Sequence, residues 1–215
     1  MIKVCGMREA DNIRAVEALG VDMIGFIFWP HSSRYVSQPP SYLPKQAKRV
    51  GVFVNEDPER IRQVADQYQL HFVQLHGDET PDQCQTLRSL LKEGTRLIKM
   101  IQIESAQGLD RTQQYEGKVD YFLFETKCQG YGGSGKQFDW DILQAYKGNT
   151  PFLLSGGIGP DDAERLKTLS SQLSAVNCIG IDLNSRFETK PAVKDIQLLR
   201  QFIEQLRSHF QAIGR

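Results

Sequence analysis

Short apolar runs rich in β-branched and aromatic residues recur along the whole chain. Runs of this length and composition predict β-strands, and because most are apolar on both faces, they predict strands buried in a parallel sheet. The eight predicted strands are Ile2–Cys5, Met23–Phe28, Val50–Val54, Phe72–His76, Leu97–Ile101, Tyr121–Glu125, Phe152–Ser155 and Val176–Leu183.

Segments with helical periodicity separate many of these strands. Residues 196–213 keep one face apolar throughout, which is typical of an amphipathic helix. Prolines between residues 39 and 44 interrupt the connection after the second strand, so only a weak second helix is predicted. Helix starts are marked by a residue that precedes a proline in Asp57-Pro58, Thr80-Pro81 and Gly159-Pro160.

Alternation of apolar strands with helices predicts an α/β fold in which helices cover a parallel sheet. Eight such units favour a closed (β/α)₈ (TIM) barrel in one catalytic domain over residues 1–215. An open doubly wound sheet is the alternative. The first strand is not followed by GxGxxG, which weighs against that sheet.

Composition limits the classes of partner. The 26 basic residues balance the 26 acidic ones, so neither a nucleic-acid surface nor an anionic-membrane surface is indicated. No apolar stretch is long enough to span a bilayer. A strand-like run follows Met1 directly and leaves no room for a secretory signal, so we expect a cytoplasmic protein.

The four cysteines have no paired spacing, which argues against a metal site and against a disulfide framework. Cys84 and Cys178 are predicted to be small core residues. Cys5 ends the first strand and shares a predicted face with Lys3, whose ammonium can lower a thiol pKa. Cys5 is therefore either a reactive thiolate or one more buried small residue.

The stretch from Tyr121 to Trp140 concentrates polar chemistry. Strand alternation turns Glu125 inward, where we expect an acid–base group; a salt bridge to Lys127 is the alternative. The loop Gly130–Lys136 fits most of the phosphate-binding pattern GxxxxGK[ST], but Gln137 breaks it. We therefore interpret this loop as a lid from which its lysine can reach an anion.

Other polar residues follow the remaining strand ends. Gly156 and Gly157 after the seventh strand, and 182–186 at the end of the eighth, suit a backbone phosphate site of the kind found in barrels. Arg34 is either a carboxylate-binding residue or a surface arginine. His76 is either a structural histidine or a proton carrier.

In this order, the motifs resemble those of the phosphoribosylanthranilate isomerase family of tryptophan biosynthesis, over nearly the whole chain. The shared stretches are Lys3-Val4-Cys5-Gly6, Gly25-Phe26-Ile27-Phe28, Ser33-Arg34-Tyr35, Gly51-Val52-Phe53-Val54-Asn55, Gln74-Leu75-His76-Gly77, Tyr131-Gly132-Gly133-Ser134-Gly135, Phe138-Asp139-Trp140 and Leu154-Ser155-Gly156-Gly157.

The resemblance implies an Amadori rearrangement of N-(5-phosphoribosyl)anthranilate to 1-(2-carboxyphenylamino)-1-deoxyribulose 5-phosphate, without metal or organic cofactor. It makes Cys5 the general base and Glu125 the general acid. It assigns the substrate carboxylate to Arg34. The remaining substrate-binding residues it implies are Gly156, Gly157, Asn184 and Ser185 for the phosphate, with Asp182 and His76 as supporting polar groups.

The chain departs from the family pattern at three places. Glu125 stands where the family usually has aspartate and reaches one methylene further, Arg186 stands where many members have glycine, and prolines replace the usual second helix.

One alternative is another sugar-phosphate barrel, either a phosphate-binding epimerase or indole-glycerol-phosphate synthase, for which Lys3 and Lys99 are the candidate inward lysines. The other is a barrel that binds a phosphorylated ligand without turnover. The small phosphorylated substrate is the expected partner, and the chain is compatible with a monomer or a homodimer.

Overall fold

The computed structural model describes residues 1–126 and 140–213, and in that part of the chain eight parallel strands close into a barrel. The strands follow one another around the barrel in chain order, and the last pairs with the first. The predicted α/β fold, a (β/α)₈ barrel, is therefore confirmed. The strands are β1 Ile2–Val4, β2 Met23–Ile27, β3 Lys48–Phe53, β4 Phe72–Leu75, β5 Arg96–Ile103, β6 Tyr121–Thr126, β7 Phe152–Ser155 and β8 Cys178–Leu183.

The helices begin where the sequence places capping groups. The carboxylate of Asp57 accepts hydrogen bonds from the backbone N–H groups of Glu59 and Arg60, and Thr80 forms a capping box with Gln83. Among the described residues, the α-helices are α1 Ala10–Glu17, α2 Pro58–Tyr68, α3 Pro81–Leu90, α4 Ala163–Ala175 and α5 Ile196–Ile213, with 3₁₀ helices at Ala106–Tyr115, Trp140–Ala145, Pro160–Asp162 and Ser185–Phe187.

The connection from β2 to β3 has no helix in residues 28–47, all of which the structure describes. Glu17 at the end of α1 holds this connection, since one carboxylate oxygen accepts the backbone N–H groups of Lys45, Gln46 and Ala47 at 2.6–2.9 Å. The helix between β2 and β3, which was predicted to be weak because of the prolines, is thus absent. The Glu17 carboxylate instead satisfies backbone donors that a helix would have paired.

The barrel interior is filled by one apolar side chain from each of six consecutive strands: Met23, Val50, Phe72, Ile98, Leu123 and Leu153. Phe122 and Phe124 lie in the outer core under the helices, as strand alternation predicted. The prediction that Lys99 faces inward is wrong. Lys99 pairs in register with Phe122, between the inward residues Ile98 and Met100, and therefore faces the helix layer.

Strand ends differ slightly from the prediction. Cys5, Phe28 and His76 lie just beyond their strands, yet each N–H still donates to a carbonyl of the neighbouring strand at 2.8–2.9 Å. β8 begins at Cys178, because α4 continues to Ala175. After β8, the chain forms an antiparallel hairpin of β9 (Glu188–Lys190) and β10 (Val193–Lys194), which leads into α5.

Candidate active site

A cavity of about 370 Å³ lies at the carboxyl ends of the strands, where barrels carry their reacting groups. Eight of the nine predicted site residues line it: Cys5, His76, Glu125, Gly156, Gly157, Asp182, Asn184 and Ser185. Two larger cavities lie elsewhere, including one of about 460 Å³ that Met1 and Leu206 line at the amino-terminal end of β8. The cavity at the carboxyl ends is the one that gathers an acid, a thiol and a histidine.

Cys5 lies against the inner wall of the barrel. Gly25 on β2 leaves room for its thiol, since a Cβ at that position would lie 2.7 Å from Sγ. Beneath it, Nζ of the fully buried Lys3 donates to the Asp182 carboxylate at 2.8 Å, an ion pair between adjacent residues of β1 and β8. Sequence alternation had placed Lys3 on the face of Cys5; the pairing with Asp182 emerges only when the barrel closes.

The sequence left open whether Lys3 lowers the pKa of Cys5, and in the structure it does so without reversing the net shift. Burial raises the pKa of Cys5; Lys3 and Lys194 work to lower it, and Asp182 works against them. In Lys3 itself, burial is the largest influence and opposes the charged form, but Asp182 and Cys5 together outweigh it and the pKa is raised. The net effect is a pKa of Cys5 above the ordinary thiol value, so its thiolate, once formed, is a stronger base.

On the opposite wall, Glu125 at the end of β6 lies beside His76, with Oε2 3.4 Å from Nε2 of the ring. The amide nitrogen of Gln74, two residues earlier on β4, lies 2.8 Å from Nδ1. With the amide in this orientation, its N–H can donate to Nδ1, and Nε2 is the ring nitrogen that faces Glu125. Strand alternation had indicated both inward side chains, Gln74 and His76, but not their contact with Glu125.

The seventh and eighth loops form one end of the cavity. Gly156 and Gly157 have φ values of 101° and 71°, in the region that favours glycine, so the backbone turns sharply after β7. Arg186 crosses from the eighth loop to the seventh, where Nε lies 3.2 Å from the position of a Cβ on Gly159. The arginine that replaces the family glycine therefore places a cation between the two loops.

Arg34, the ninth predicted site residue, is not among the residues that line this cavity; its Cδ lies 2.6 Å from the position of a Cβ on Gly6, the neighbour of Cys5. Its guanidinium pairs with the Glu188 carboxylate at 2.6 Å, and Nζ of Lys194 contacts the same carboxylate at 2.6 Å. Sequence reasoning missed Glu188 and Lys194. No local pattern marks them, because they belong to a hairpin distant in sequence from Arg34.

The predicted lid, Gly130–Lys136, and the alternative partner Lys127 fall outside the described residues, so both stay predictions. Within the described ranges, no group of three or more histidine, cysteine, aspartate or glutamate side chains is arranged to hold a metal ion. Among the helices that the structure describes, none is both long and apolar enough to cross a membrane.

Comparison with known proteins adds independent evidence. Residues 2–205 match the family model of N-(5′-phosphoribosyl)anthranilate isomerase. The N-(5′-phosphoribosyl)anthranilate isomerase of Phocaeicola vulgatus is 53% identical over 98% of this chain and 100% of its own length.

Solved structures agree. The phosphoribosyl anthranilate isomerase of Thermotoga maritima superposes with a TM-score of 0.79 at 31% identity, over 96% of this chain and 98% of its own. A phosphoribosyl anthranilate isomerase in complex with reduced 1-(o-carboxyphenylamino)-1-deoxyribulose 5-phosphate superposes with a TM-score of 0.76 at 28% identity, with the same coverage. The chain belongs to the N-(5′-phosphoribosyl)anthranilate isomerase family.

Proposed function

We propose that Glu125 and Cys5 are the general acid and the general base of an Amadori rearrangement that converts N-(5′-phosphoribosyl)anthranilate to 1-(2-carboxyphenylamino)-1-deoxyribulose 5-phosphate. The activity is that of the family to which the chain belongs. The observation that carries the assignment of roles is that a carboxylic acid and a thiol line one cavity from different strand ends. Such an isomerisation needs one proton donor and one proton acceptor that face the same substrate.

In the first step, Glu125 protonates the furanose ring oxygen. The bond from C1′ to that oxygen breaks, and the nitrogen lone pair forms a protonated Schiff base. The Nε2–H of His76 faces the Glu125 carboxylate and holds it in place as it loses its proton. The longer side chain of Glu125 is accommodated because His76 restrains its end.

Cys5 enters the second step as the thiolate, its own proton having passed to solvent, and the proton that it removes from C2′ becomes the new thiol proton. The electron pair moves into a C1′–C2′ double bond and neutralises the Schiff base, which gives an enolamine. Protonation at C1′ and loss of the C2′ hydroxyl proton then yield the ketone. A thiol whose pKa is raised by burial supplies a strong base, and the nearby Lys3 and Lys194 favour its charged form.

The substrate lies between two anion-binding ends. The amides of the seventh and eighth loops, around Gly156, Gly157, Asn184 and Ser185, hold the phosphate, with Arg186 beside them. Arg34 holds the anthranilate carboxylate at the second strand end. Asp182 keeps Lys3 charged under Cys5.

The assay is the loss of phosphoribosylanthranilate fluorescence, with Glu125→Gln and Glu125→Asp tested beside the wild type. We expect Glu125→Gln to lose about 10²–10⁴-fold in kcat, the usual contribution of a general acid. We expect Glu125→Asp to lose up to roughly a hundredfold, because the shorter chain withdraws the acid from the ring oxygen. Glu164→Gln, which changes an exposed carboxylate on α4, is the matched control and keeps full activity.

Two outcomes would overturn the proposal. Full activity in Glu125→Gln would show that Glu125 is not the general acid. An inert wild type that Glu125→Asp restores shows instead that this barrel binds its ligand without turnover.

Assembly and cellular location stay predictions: a monomer or a homodimer, in the cytoplasm. Sedimentation of the purified chain distinguishes the two assemblies.

A further inference from the structure

A buried ion network joins the second strand end to the hairpin after β8. The Glu188 carboxylate accepts hydrogen bonds from Nε of Arg34 at 2.9 and 3.0 Å and from Nη2 at 2.6 Å. Its Oε1 also accepts from Nζ of Lys194 at 2.6 Å. The side chains of Glu188 and Lys194 are 5% and 0% exposed, whereas that of Arg34 is 21% exposed. The guanidinium is therefore the member of the network that reaches solvent.

The contact with Glu188 uses only one edge of Arg34. A guanidinium has five N–H donors. Glu188 occupies the Nε donor and one donor on Nη2. In the described part of the chain, no acceptor is hydrogen-bonded to Nη1, so the end formed by Nη1 and the second Nη2 hydrogen is free for another planar anion. Carboxylates bind such an end through two parallel hydrogen bonds.

The charges of the network favour an anion there. Glu188 is shared between Arg34 and Lys194, so one carboxylate faces two cations. Burial opposes ionisation of Glu188, but Arg34 and Lys194 outweigh it and hold its pKa below the usual range. The hydrogen bond to Glu188 in turn raises the pKa of Arg34. The guanidinium keeps its charge, whereas burial lowers the pKa of Lys194 although Glu188 acts to raise it.

The network is also fixed to the candidate site. Lys194 donates to Oδ1 of Asn184 at 2.8 Å, and Asn184 lines the cavity. Gly6, the neighbour of Cys5, fits between Arg34 and Asn184, since a Cβ on Gly6 would lie 2.6 Å from Cδ of the arginine and 2.8 Å from Oδ1 of the asparagine.

The hairpin that carries Glu188 is held in turn by α1. The backbone of Lys194 exchanges two hydrogen bonds with the Asn12 side chain, at 2.8 and 2.9 Å. The carboxylate of Glu188 is therefore carried by a hairpin that α1 holds in place, and it contacts the buried Lys194 and the partly exposed Arg34.

We propose that Glu188 is a positioning residue that holds Arg34 by one edge, so that the other edge meets the carboxylate of the substrate's aromatic amine. Lys194 keeps Glu188 charged and in place. This inference rests on the proposed function, because it assigns the substrate carboxylate to Arg34. A purely structural ion pair would stabilise the fold equally, but it would not discriminate between ligands with and without that carboxylate.

The test compares two ligands that differ only in that group. One is the reduced carboxyphenylamino-deoxyribulose phosphate, and the other is its phenylamino counterpart without the carboxylate. Calorimetric titration of the wild type, Arg34→Ala and Glu188→Gln measures how strongly each protein prefers the carboxylate ligand. Glu79→Gln is the matched control, since Glu79 is equally buried and also pairs with a lysine, but away from the cavity.

We expect Arg34→Ala to abolish the preference and Glu188→Gln to reduce it by about tenfold, or ~1.4 kcal/mol. Affinity for the phenylamino ligand stays unchanged in Glu188→Gln, and Glu79→Gln leaves the preference intact. Glu188→Asp keeps part of the carboxylate preference that Glu188→Gln loses. In turnover, Glu188→Gln raises KM more than it lowers kcat, which a general loss of structure would not do.

Because Glu188→Gln leaves the buried Lys194 with a neutral partner, the double variant Glu188→Gln/Lys194→Met is measured as well. Thermal melting reports whether each variant folds. An unchanged carboxylate preference in a folded Glu188 variant overturns the inference while Arg34 keeps its role. An unchanged carboxylate preference in Arg34→Ala contradicts both the role of Arg34 in binding the substrate carboxylate and the positioning role of Glu188. A wild type that neither binds the reduced ligand nor turns over phosphoribosylanthranilate contradicts the proposed function itself.

Discussion

Two buried cysteines in this barrel each lie beside a buried lysine–carboxylate pair, one inside the barrel and one outside it. The inner set is Cys5 with Lys3 and Asp182, where the ion pair spans 2.8 Å and Lys3 is fully buried. Asp182 and Cys5 line the cavity at the carboxyl ends of the strands.

The outer set is Cys84 with Lys99 and Glu79, between the barrel and α3. Its ion pair spans 3.0 Å, and the side chains of Lys99 and Glu79 are 2% and 6% exposed. Burial raises the pKa of Cys84 to about 11, with Lys99 acting to lower it. Glu79 also accepts the backbone N–H groups of Asn55 and Gly77, which ties the fourth strand end to the third.

Residue types, burial and ion-pair distance are therefore nearly the same in the two sets. The pKa of the thiol is also raised in both. What differs is that the inner thiol borders a cavity that a substrate can enter. Because only the inner thiol has the proposed catalytic role, the comparison predicts that equivalent substitutions affect stability alike but activity differently.

The largest expected difference concerns the thiols. Cys5→Ser removes the proposed base, and we expect kcat/KM to fall by about 10²–10⁴-fold. Cys84→Ser places a hydroxyl in the core and costs roughly 1–3 kcal/mol of stability. The folded Cys84 variant keeps wild-type turnover in the fluorescence assay. Full activity in Cys5→Ser would refute the assignment of the base.

The next difference concerns the carboxylates. Asp182→Asn and Glu79→Gln each leave a buried lysine without its counterion, and we expect each to lower the free energy of unfolding by about 3–5 kcal/mol in urea titrations. Only Asp182→Asn should also lower kcat, by up to roughly a hundredfold, since Lys3 and Cys5 shift in position. Equal losses of turnover per folded molecule would show that the two pairs do not differ in function.

The smallest expected difference is in pH dependence. Lys3 lowers the pKa of Cys5, and Asp182 raises it. Lys3→Met removes the cation and leaves the anion, so the pKa of Cys5 rises further and the limb of kcat/KM that reports the thiolate moves to higher pH. Lys99→Met leaves the profile in place. A profile that Lys3→Met does not move would mean that the limb belongs to another group.

Local signals in the sequence were enough to predict the barrel and the strand ends that carry the candidate site. Apolar strands between capped helices predicted the barrel, and the capping groups Asp57 and Thr80 lie where the helices begin. Alternation placed Glu125 inward and Phe124 outward, as observed. These inferences succeed because capping and strand alternation depend on neighbours within a few residues.

The same reasoning misplaced Lys99. Strands in a parallel barrel are apolar on both faces, so a lone lysine in such a strand does not reveal which face it occupies. The register of β5 against β6 decides it, and Glu79 neutralises the charge on the outer side. For Cys5, the sequence showed the adjacent cation but not the burial that raises the thiol pKa.

The sequence by itself determined the order of the strands and most of their inward residues, and thereby most of the residues that meet at the cavity. Tertiary structure decided which of those residues are partners. Glu188 lies 154 residues from Arg34 in the chain, and the contact between them exists only because β8 closes on β1 and brings the hairpin beside the second strand end. Burial and pairing of charges depend on that closure, because they are properties of the packed barrel rather than of any short segment.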